Sequence, residues 1–206
     1  MKALLINGSP RERGCTYTAL SELARTLEAE GIETELVQAG ARTTHGCIAC
    51  GKCRETGKCV FDDVVNETAP KLAEADALVI GAPVYYASPA GGAISFMDRL
   101  FHSTGTDMTM KVGASVVSCR RGGNTASFDV LNKYFTIAGM PIASSQYWNM
   151  VYGSTPEEVH KDLEGLQTMR TLGRNMAFLM KSIALGKAQY GLPEKEKSIV
   201  TSFHHD

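Results

Sequence analysis

Four of the six cysteines lie between Cys47 and Cys59, in the run Cys47-Ile48-Ala49-Cys50-Gly51-Lys52-Cys53-Arg54-Glu55-Thr56-Gly57-Lys58-Cys59. Thiolates are soft ligands that suit zinc and iron–sulfur clusters. The spacing is C-x2-C-x2-C-x5-C. Three cysteines at steps of three followed by a longer step is the kind of run that holds a [4Fe–4S] cube. A zinc site more often shows two C-x-x-C pairs separated by about twelve or more residues. Three readings of Cys47, Cys50, Cys53 and Cys59 stay open: a cluster, a zinc ion, or free and oxidisable thiols. Cys15 and Cys119 stand alone and read as small packed residues.

Three other stretches carry binding chemistry. The first is Gly8-Ser9-Pro10-Arg11-Glu12-Arg13-Gly14-Cys15-Thr16, with hydroxyls at Ser9 and Thr16, a cation at Arg11 and flexible backbone at Gly8 and Gly14. A helix starting at its end adds unpaired N–H groups and a positive dipole end. That set suits one phosphate monoester, and an ordinary loop capped by Thr16 is the plain alternative. A P-loop requires G-x-x-x-x-G-K-[ST]. Here Gly8 and Gly14 are one residue too far apart, and Cys15 stands in place of the lysine. The dinucleotide fingerprint G-x-G-x-x-G is absent. The second stretch, Gly81-Ala82-Pro83-Val84-Tyr85-Tyr86-Ala87-Ser88-Pro89, is stiffened by two prolines and offers an aromatic wall and backbone N–H groups to a flat ring. Packing of either tyrosine between loops is its plain reading. The third, Ser118-Cys119-Arg120-Arg121-Gly122-Gly123-Asn124-Thr125, lets backbone approach a ligand at Gly122 and Gly123. Arg120 and Arg121 read either as partners of a dinucleotide phosphate or as solvated arginines.

Strands and helices alternate around these stretches. The near-continuous apolar run 2–7 reads as a strand buried on both faces. Residues 16–30 carry Leu20, Leu23, Ala24 and Leu27 at helical spacing, and Gly31 sits where a C-terminal cap belongs. Residues 34–37 read as a second strand. A helix capped by Asp62 or Asp63 runs toward Ala75, with Pro70 expected to kink or split it. Residues 77–82 are the clearest strand, 91–101 a helix, 111–118 a fourth strand, 125–138 a helix and 142–147 a fifth strand. A long helix is expected over 156–185, weakened by Gly165 and Gly173. This order predicts an α/β fold with a parallel sheet covered on both faces, and ligands outside the C-terminal strand ends.

Ser9-Pro10-Arg11 followed by Gly14 and Thr16 resembles the phosphate loop of the flavodoxin-like NAD(P)H-dependent FMN reductases. Pro83-Val84-Tyr85-Tyr86 resembles the loop lining the flavin ring in that family. The cysteine run, with Asp62-Asp63 after it, resembles the motif of the iron–sulfur flavoprotein branch. Phe96-Met97-Asp98-Arg99 also matches a family stretch and reads as packing, while Leu192-Pro193-Glu194 and Thr201-Ser202-Phe203 resemble the family's tail.

The resemblance spans most of the chain. It implies one flavodoxin-like three-layer sandwich over residues 1–206, with five parallel strands in the order 2-1-3-4-5. A cysteine-rich loop is expected at 45–62 and a tail from about 187. FMN would be held by Ser9, Arg11, Gly14, Cys15, Thr16 and Tyr17, by Pro83, Val84, Tyr85 and Tyr86, and by Ser118, Gly122 and Gly123. Cys15 stands where members often have Asn. A [4Fe–4S] cluster would be held by Cys47, Cys50, Cys53 and Cys59, and the protein would be a homodimer or homotetramer. Trp148 reads as a cover for the flavin or as core, and His204-His205 as a mobile tail.

The chain of 206 residues is long enough for one sizeable core. Lys+Arg is 21 and Asp+Glu is 22, a net charge of -1. That balance argues against nucleic acid or an anionic membrane as the main partner. The first apolar run is too short for a secretion signal, and no stretch suits a membrane span. A cytoplasmic protein with reduced thiols is expected. The activity expected is an FMN-dependent oxidoreductase that takes hydride from NAD(P)H and passes electrons to a small acceptor: a quinone, a nitro or azo compound, a flavin or a metal ion. Its flavin chemistry needs no catalytic side chain, and none stands out. The rivals are a non-enzymatic electron carrier that docks a redox protein and a cysteine-based redox sensor.

Overall fold

The computed structural model describes residues 1–43, 45–197 and 199–201. Ser202, Phe203, His204 and His205 of the expected tail lie outside the described residues. The sheet is built on β1 (Lys2–Asn7), β2 (Glu33–Gln38), β3 (Ala77–Tyr85), β5 (Val112–Cys119) and β6 (Met150–Tyr152), all parallel and in the order β2-β1-β3-β5-β6. That is the expected 2-1-3-4-5 order of parallel strands. A sixth strand, β4 (Ser88–Pro89), folds back antiparallel on the end of β3.

Alternation along the central strands explains the layers. Ala3, Leu5, Ala77 and Val79 face one core, against Leu20, Leu23 and Leu27 of α1 (Cys15–Ala29) and Met169, Leu172 and Met176 of α7 (Leu163–Tyr190). Leu4, Ile6, Leu78 and Ile80 face the other. There they meet Leu72 of α3 (Val64–Glu74), Phe96, Met97 and Leu100 of α4 (Gly91–Ser103), and Leu131 and Phe135 of α5 (Asn124–Ile137). Both faces are apolar because both are covered. Two short helices complete the set, α2 (Lys52–Thr56) inside the cysteine run and α6 (Pro156–Val159).

Four expectations are corrected. The fifth strand is not 142–147. Only Ile142 bridges to Gly113, and the strand forms at Met150–Tyr152. The Ser145 hydroxyl bonds instead to the Tyr147 carbonyl at 2.6 Å and to Asn149 Oδ1 at 2.7 Å, local bonds that compete with a ladder. The helix expected over 156–185 is two helices. The Asp162 carboxylate caps α7 through the Gly165 N–H at 2.9 Å and also accepts from the Tyr152 N–H at 2.7 Å, which pins the break to β6. The helix continues to Tyr190, so the tail starts at Gly191 and not near 187. Finally, Pro70 lies inside α3 without splitting it.

The end of β1 positions the first loop. Asn7 is fully buried. Its Nδ2 donates to the Glu12 carbonyl at 3.1 Å and to Gln38 Oε1 at 2.6 Å, and its Oδ1 accepts from the Ser9 N–H at 3.1 Å. Gln38 Nε2 donates in turn to the Ser9 carbonyl at 2.6 Å. Gly40 seals the turn from behind, where an added Cβ would lie 2.2 Å from the Gly8 carbonyl oxygen. Replacing Asn7 by Ala orphans several of these groups, at about 1–3 kcal/mol for a buried unsatisfied partner. Asn7→Ala is therefore expected to lower the urea midpoint with an unchanged m-value. An unaltered midpoint would show that the loop does not depend on this side chain.

Candidate functional site

The C-terminal ends of four parallel strands border one open pocket of about 270 Å³, at the lower edge of the ~300–1,000 Å³ usual for small-molecule sites. Ser9, Arg11, Cys15 and Thr16 enter it after β1, and Pro83, Val84 and Tyr85 from the end of β3. Ser118, Cys119 and Arg120 enter after β5, and Gly153 and Ser154 after β6. No Asp or Glu is among these lining residues.

The β1 side is suited to an anion. Helix α1 starts at Cys15, and its cap position is Gly14, whose lack of a side chain leaves the first-turn N–H groups uncapped. Thr16 and Ser118, both buried, share a hydroxyl hydrogen bond of 2.8 Å that ties the β1 loop to the end of β5. Ser9 Oγ accepts from the Arg11 N–H at 3.1 Å and turns the loop back over the helix end. Burial pushes the Cys15 and Cys119 thiols up, so both stay neutral beside an anion. The set of hydroxyls, one nearby cation, helix N–H groups and no carboxylate fits the phosphate of FMN.

The ring side is a hairpin. Tyr85 pairs with Ser88 and Val84 with Pro89, so Tyr86 and Ala87 form a two-residue turn with φ of +51° and +58°. Such turns favour Gly and Asn, and other residues there carry strain of order 1–3 kcal/mol each. The turn packs on the start of α5. An added Cβ on Gly123 (φ +86°) would lie 2.5 Å from the Ala87 Cα. Tyr86 is fully exposed, whereas Tyr85 is half exposed and lines the pocket.

Of the residues expected at the flavin, Ser9, Arg11, Cys15, Thr16, Pro83, Val84, Tyr85 and Ser118 line the pocket. Gly14, Tyr17, Tyr86, Gly122 and Gly123 are not among the lining residues. Gly14 and Gly123 act one step back, as the positions that start α1 and α5. Trp148 is not a lining residue either. It is half exposed and meets Tyr147 edge-on at 5.0 Å. Gly153 and Ser154 were missed because the last strand was placed too early in the chain. Cys119, whose isolation in the sequence reads as packing on one of the flavin loops, lines the pocket.

The cysteine run forms a second pocket, lined by Cys47, Cys50, Cys53 and Cys59 with Ile48, Val60, Phe61, Arg99 and His102 among others. Cys47 and Cys50 are exposed, and Cys53 and Cys59 half-buried. Among the described residues, no three His, Cys, Asp or Glu converge tightly enough to bind one metal ion. A cube is bound at its corners, one thiolate to each iron, so its ligands surround a volume. Four thiols around one apolar pocket, with no carboxylate among the lining residues, fit that group in donor type and number.

Arg99 of α4 holds this segment, although its sequence context reads as packing. It is 1% exposed and grips Asp63 with two bonds of 2.7 and 2.9 Å. Burial is the largest single influence on the Asp63 carboxyl and works to raise it, but the Arg99 hydrogen bonds, the Val65 N–H and the Arg99 charge together outweigh it and hold the group below the usual carboxylate range. Asp63 also caps α3, accepting from the Val65 N–H at 3.0 Å.

Comparison with known proteins gives the family and the fold. The NADPH-dependent FMN reductase family matches residues 1–155. An iron–sulfur flavoprotein of Methanocaldococcus jannaschii is 32% identical over 191 residues, covering 89% of this chain and 99% of the relative. An iron–sulfur flavoprotein of Methanosarcina thermophila is 27% identical over 187 residues, covering 89% and 97%. Among solved structures, RosB with bound 8-demethyl-8-formylriboflavin-5'-phosphate superposes with a TM-score of 0.71 at 17% identity, over 100% of this chain and 92% of that one. An archaeal flavodoxin gives 0.60 at 18% identity, over 88% and 99%. These structures share the flavodoxin-like fold. With its sheet order and a match over three quarters of its length, the chain belongs to the NADPH-dependent FMN reductase family.

Proposed function

We propose that this protein is an FMN-dependent oxidoreductase that draws hydride from NAD(P)H and hands electrons to a small acceptor, with a [4Fe–4S] cluster held by Cys47, Cys50, Cys53 and Cys59. The observation that carries the reading is the meeting of four strand-end loops in one pocket free of carboxylates. When bound, FMN supplies a two-electron hydride acceptor that can also give electrons up singly. A cluster, when bound, supplies a one-electron store. The chain's own residues bind and orient. Arg11, Ser9, Thr16 and the α1 N–H groups hold the phosphate. The end of β3 and Tyr85 would set the wall of the ring site, and the turn at Tyr86-Ala87 is braced against α5. Arg120 offers a cation on the β5 side, where an NADPH phosphate could be received.

The exposure of Cys47, Cys50 and Ile48 favours a second reading, in which a docked redox protein is the acceptor. It predicts slow NAD(P)H oxidation and fast electron exchange with a ferredoxin-like protein, where the first reading predicts turnover with small acceptors.

Two outcomes test the assignment. Charge-assisted hydrogen bonds contribute about 1.5–3 kcal/mol, so Arg11→Ala is expected to weaken FMN binding by roughly ten- to a hundredfold. Fluorescence titration of apoprotein measures this, and unchanged affinity would remove Arg11 from the phosphate site. Protein purified without air should show flavin absorbance plus a broad iron–sulfide band. Cys50→Ser should lose iron and sulfide while keeping FMN. Protein that contains neither flavin nor iron would sink the proposal.

A further inference from the structure

Arg99 does more than pair with Asp63. A guanidinium has five N–H donors in a rigid fork, and all five are used. Nε donates to Cys59 Sγ at 3.2 Å. One terminal nitrogen donates to Asp63 Oδ2 and to the His45 carbonyl at 3.4 Å, and the other to Asp63 Oδ1 and the Phe61 carbonyl at 3.2 Å. The guanidinium also lies over the Phe61 ring, 5.0 Å from its centroid, and that ring stacks on His45 at 4.4 Å. The acceptors therefore come from both ends of the cysteine segment: His45 before Cys47, and Cys59, Phe61 and Asp63 at its close. One side chain rooted in the core on α4 draws the segment shut and aims an N–H at the fourth cysteine.

This geometry matters most at Cys59. Cys47, Cys50 and Cys53 follow one another at steps of three, so the local chain can gather them. Cys59 comes after the short helix α2 and the left-handed Gly57, and its backbone is held by Asn66 of α3, whose Oδ1 accepts from the Cys59 N–H at 2.9 Å and whose Nδ2 donates to its carbonyl at 3.0 Å, which leaves the direction of the side chain to be set. Among the described residues, Arg99 is the side chain that bonds its sulfur.

We propose that Arg99 is the positioning residue of the cysteine site: it fixes Cys59 as the fourth ligand and, through its N–H···S bond and buried charge, raises the reduction potential of the cluster bound there. The inference rests on the cluster reading above. Reduction adds one electron to a group already ringed by thiolates. A hydrogen bond to a coordinating sulfur and a nearby cation both stabilise that extra negative charge. Asp63 opposes the effect, because its carboxylate partly neutralises the guanidinium. The two residues should therefore act with opposite signs, which a general loosening of the segment would not produce.

The test is a redox titration of anaerobically prepared protein, following the reduced cluster by electron paramagnetic resonance. Iron, sulfide and FMN contents are measured on the same samples. Arg99→Met removes charge and fork. It is expected to lower the reduction equilibrium constant at least tenfold, about 59 mV for one electron. Asp63→Asn keeps a side chain able to cap α3 and removes the opposing charge, so the potential should rise. Arg99→Lys keeps the charge on three donors. It should move the potential less than Arg99→Met and lose iron faster than the parent. If Arg99→Met takes up no cluster while retaining FMN, the positioning role is upheld, and the sign for Asp63→Asn decides the electrostatic one. A cluster whose potential is unmoved in both variants, or moves the same way in both, overturns the inference. Parent protein that assembles no iron–sulfide at all overturns the cluster reading itself, whatever the variants do.

Discussion

A parallel sheet covered on both faces has no interior place for unpaired polar chemistry. That constraint organises this molecule. Where a strand does bury a hydroxyl, it must be answered, as Ser115 Oγ is by Asn132 Oδ1 at 2.6 Å. In the central strands β1, β3 and β5 the other polar side chains lie at the strand ends. The register then decides which ends meet: Asn7 lies beside Gly81 and Gln38, Pro83 beside Ser118, and Cys119 beside Tyr152. The loops after β1, β3 and β5 start level with one another because the ladder makes them level. The pocket is a consequence of how the strands stop.

The cysteine segment obeys a different rule. It has few buried apolar residues and leaves the sheet through the turn sealed by Gly40. Its shape is imposed from outside, by a buried cation at Arg99 and by Asn66 of α3, which holds the backbone of Cys59 and Phe61. Burying an ion pair gives little net stability, since desolvation offsets most of the attraction. What such a pair supplies is uniqueness of arrangement. The cation-π contact and five directed N–H bonds select one closure of the segment over the many that a glycine-bearing loop permits.

The legible and illegible parts of the sequence divide along physical lines. Central strands were legible because double burial writes a continuous apolar run, as in residues 2–7 and 77–82. The loops that border the strand-end pocket were legible because hydroxyl, cation and glycine recur just after those runs. The last strand was not. Residues 142–147 and 150–152 are both short and partly apolar, and local bonds of Ser145 settle which one pairs. Gly153 and Ser154 were lost with it. The break before α7 was hidden because helical periodicity runs on through Asp162, whose carboxylate is diverted to Tyr152 of β6.

Composition and spacing by themselves determined the class of fold, the loop of hydroxyls and glycines after β1 and the grouping of four cysteines in one segment, because each is written in residues close together in the chain. Tertiary structure alone decided which side chains share a site. Thr16 meets Ser118, Tyr85 faces the pocket while Tyr86 faces solvent, and Arg99 reaches from α4 to Cys59. These are contacts between residues distant in sequence. They exist only once the strand register and the packing of α4 on the sheet have set the distances over which a hydrogen bond can act.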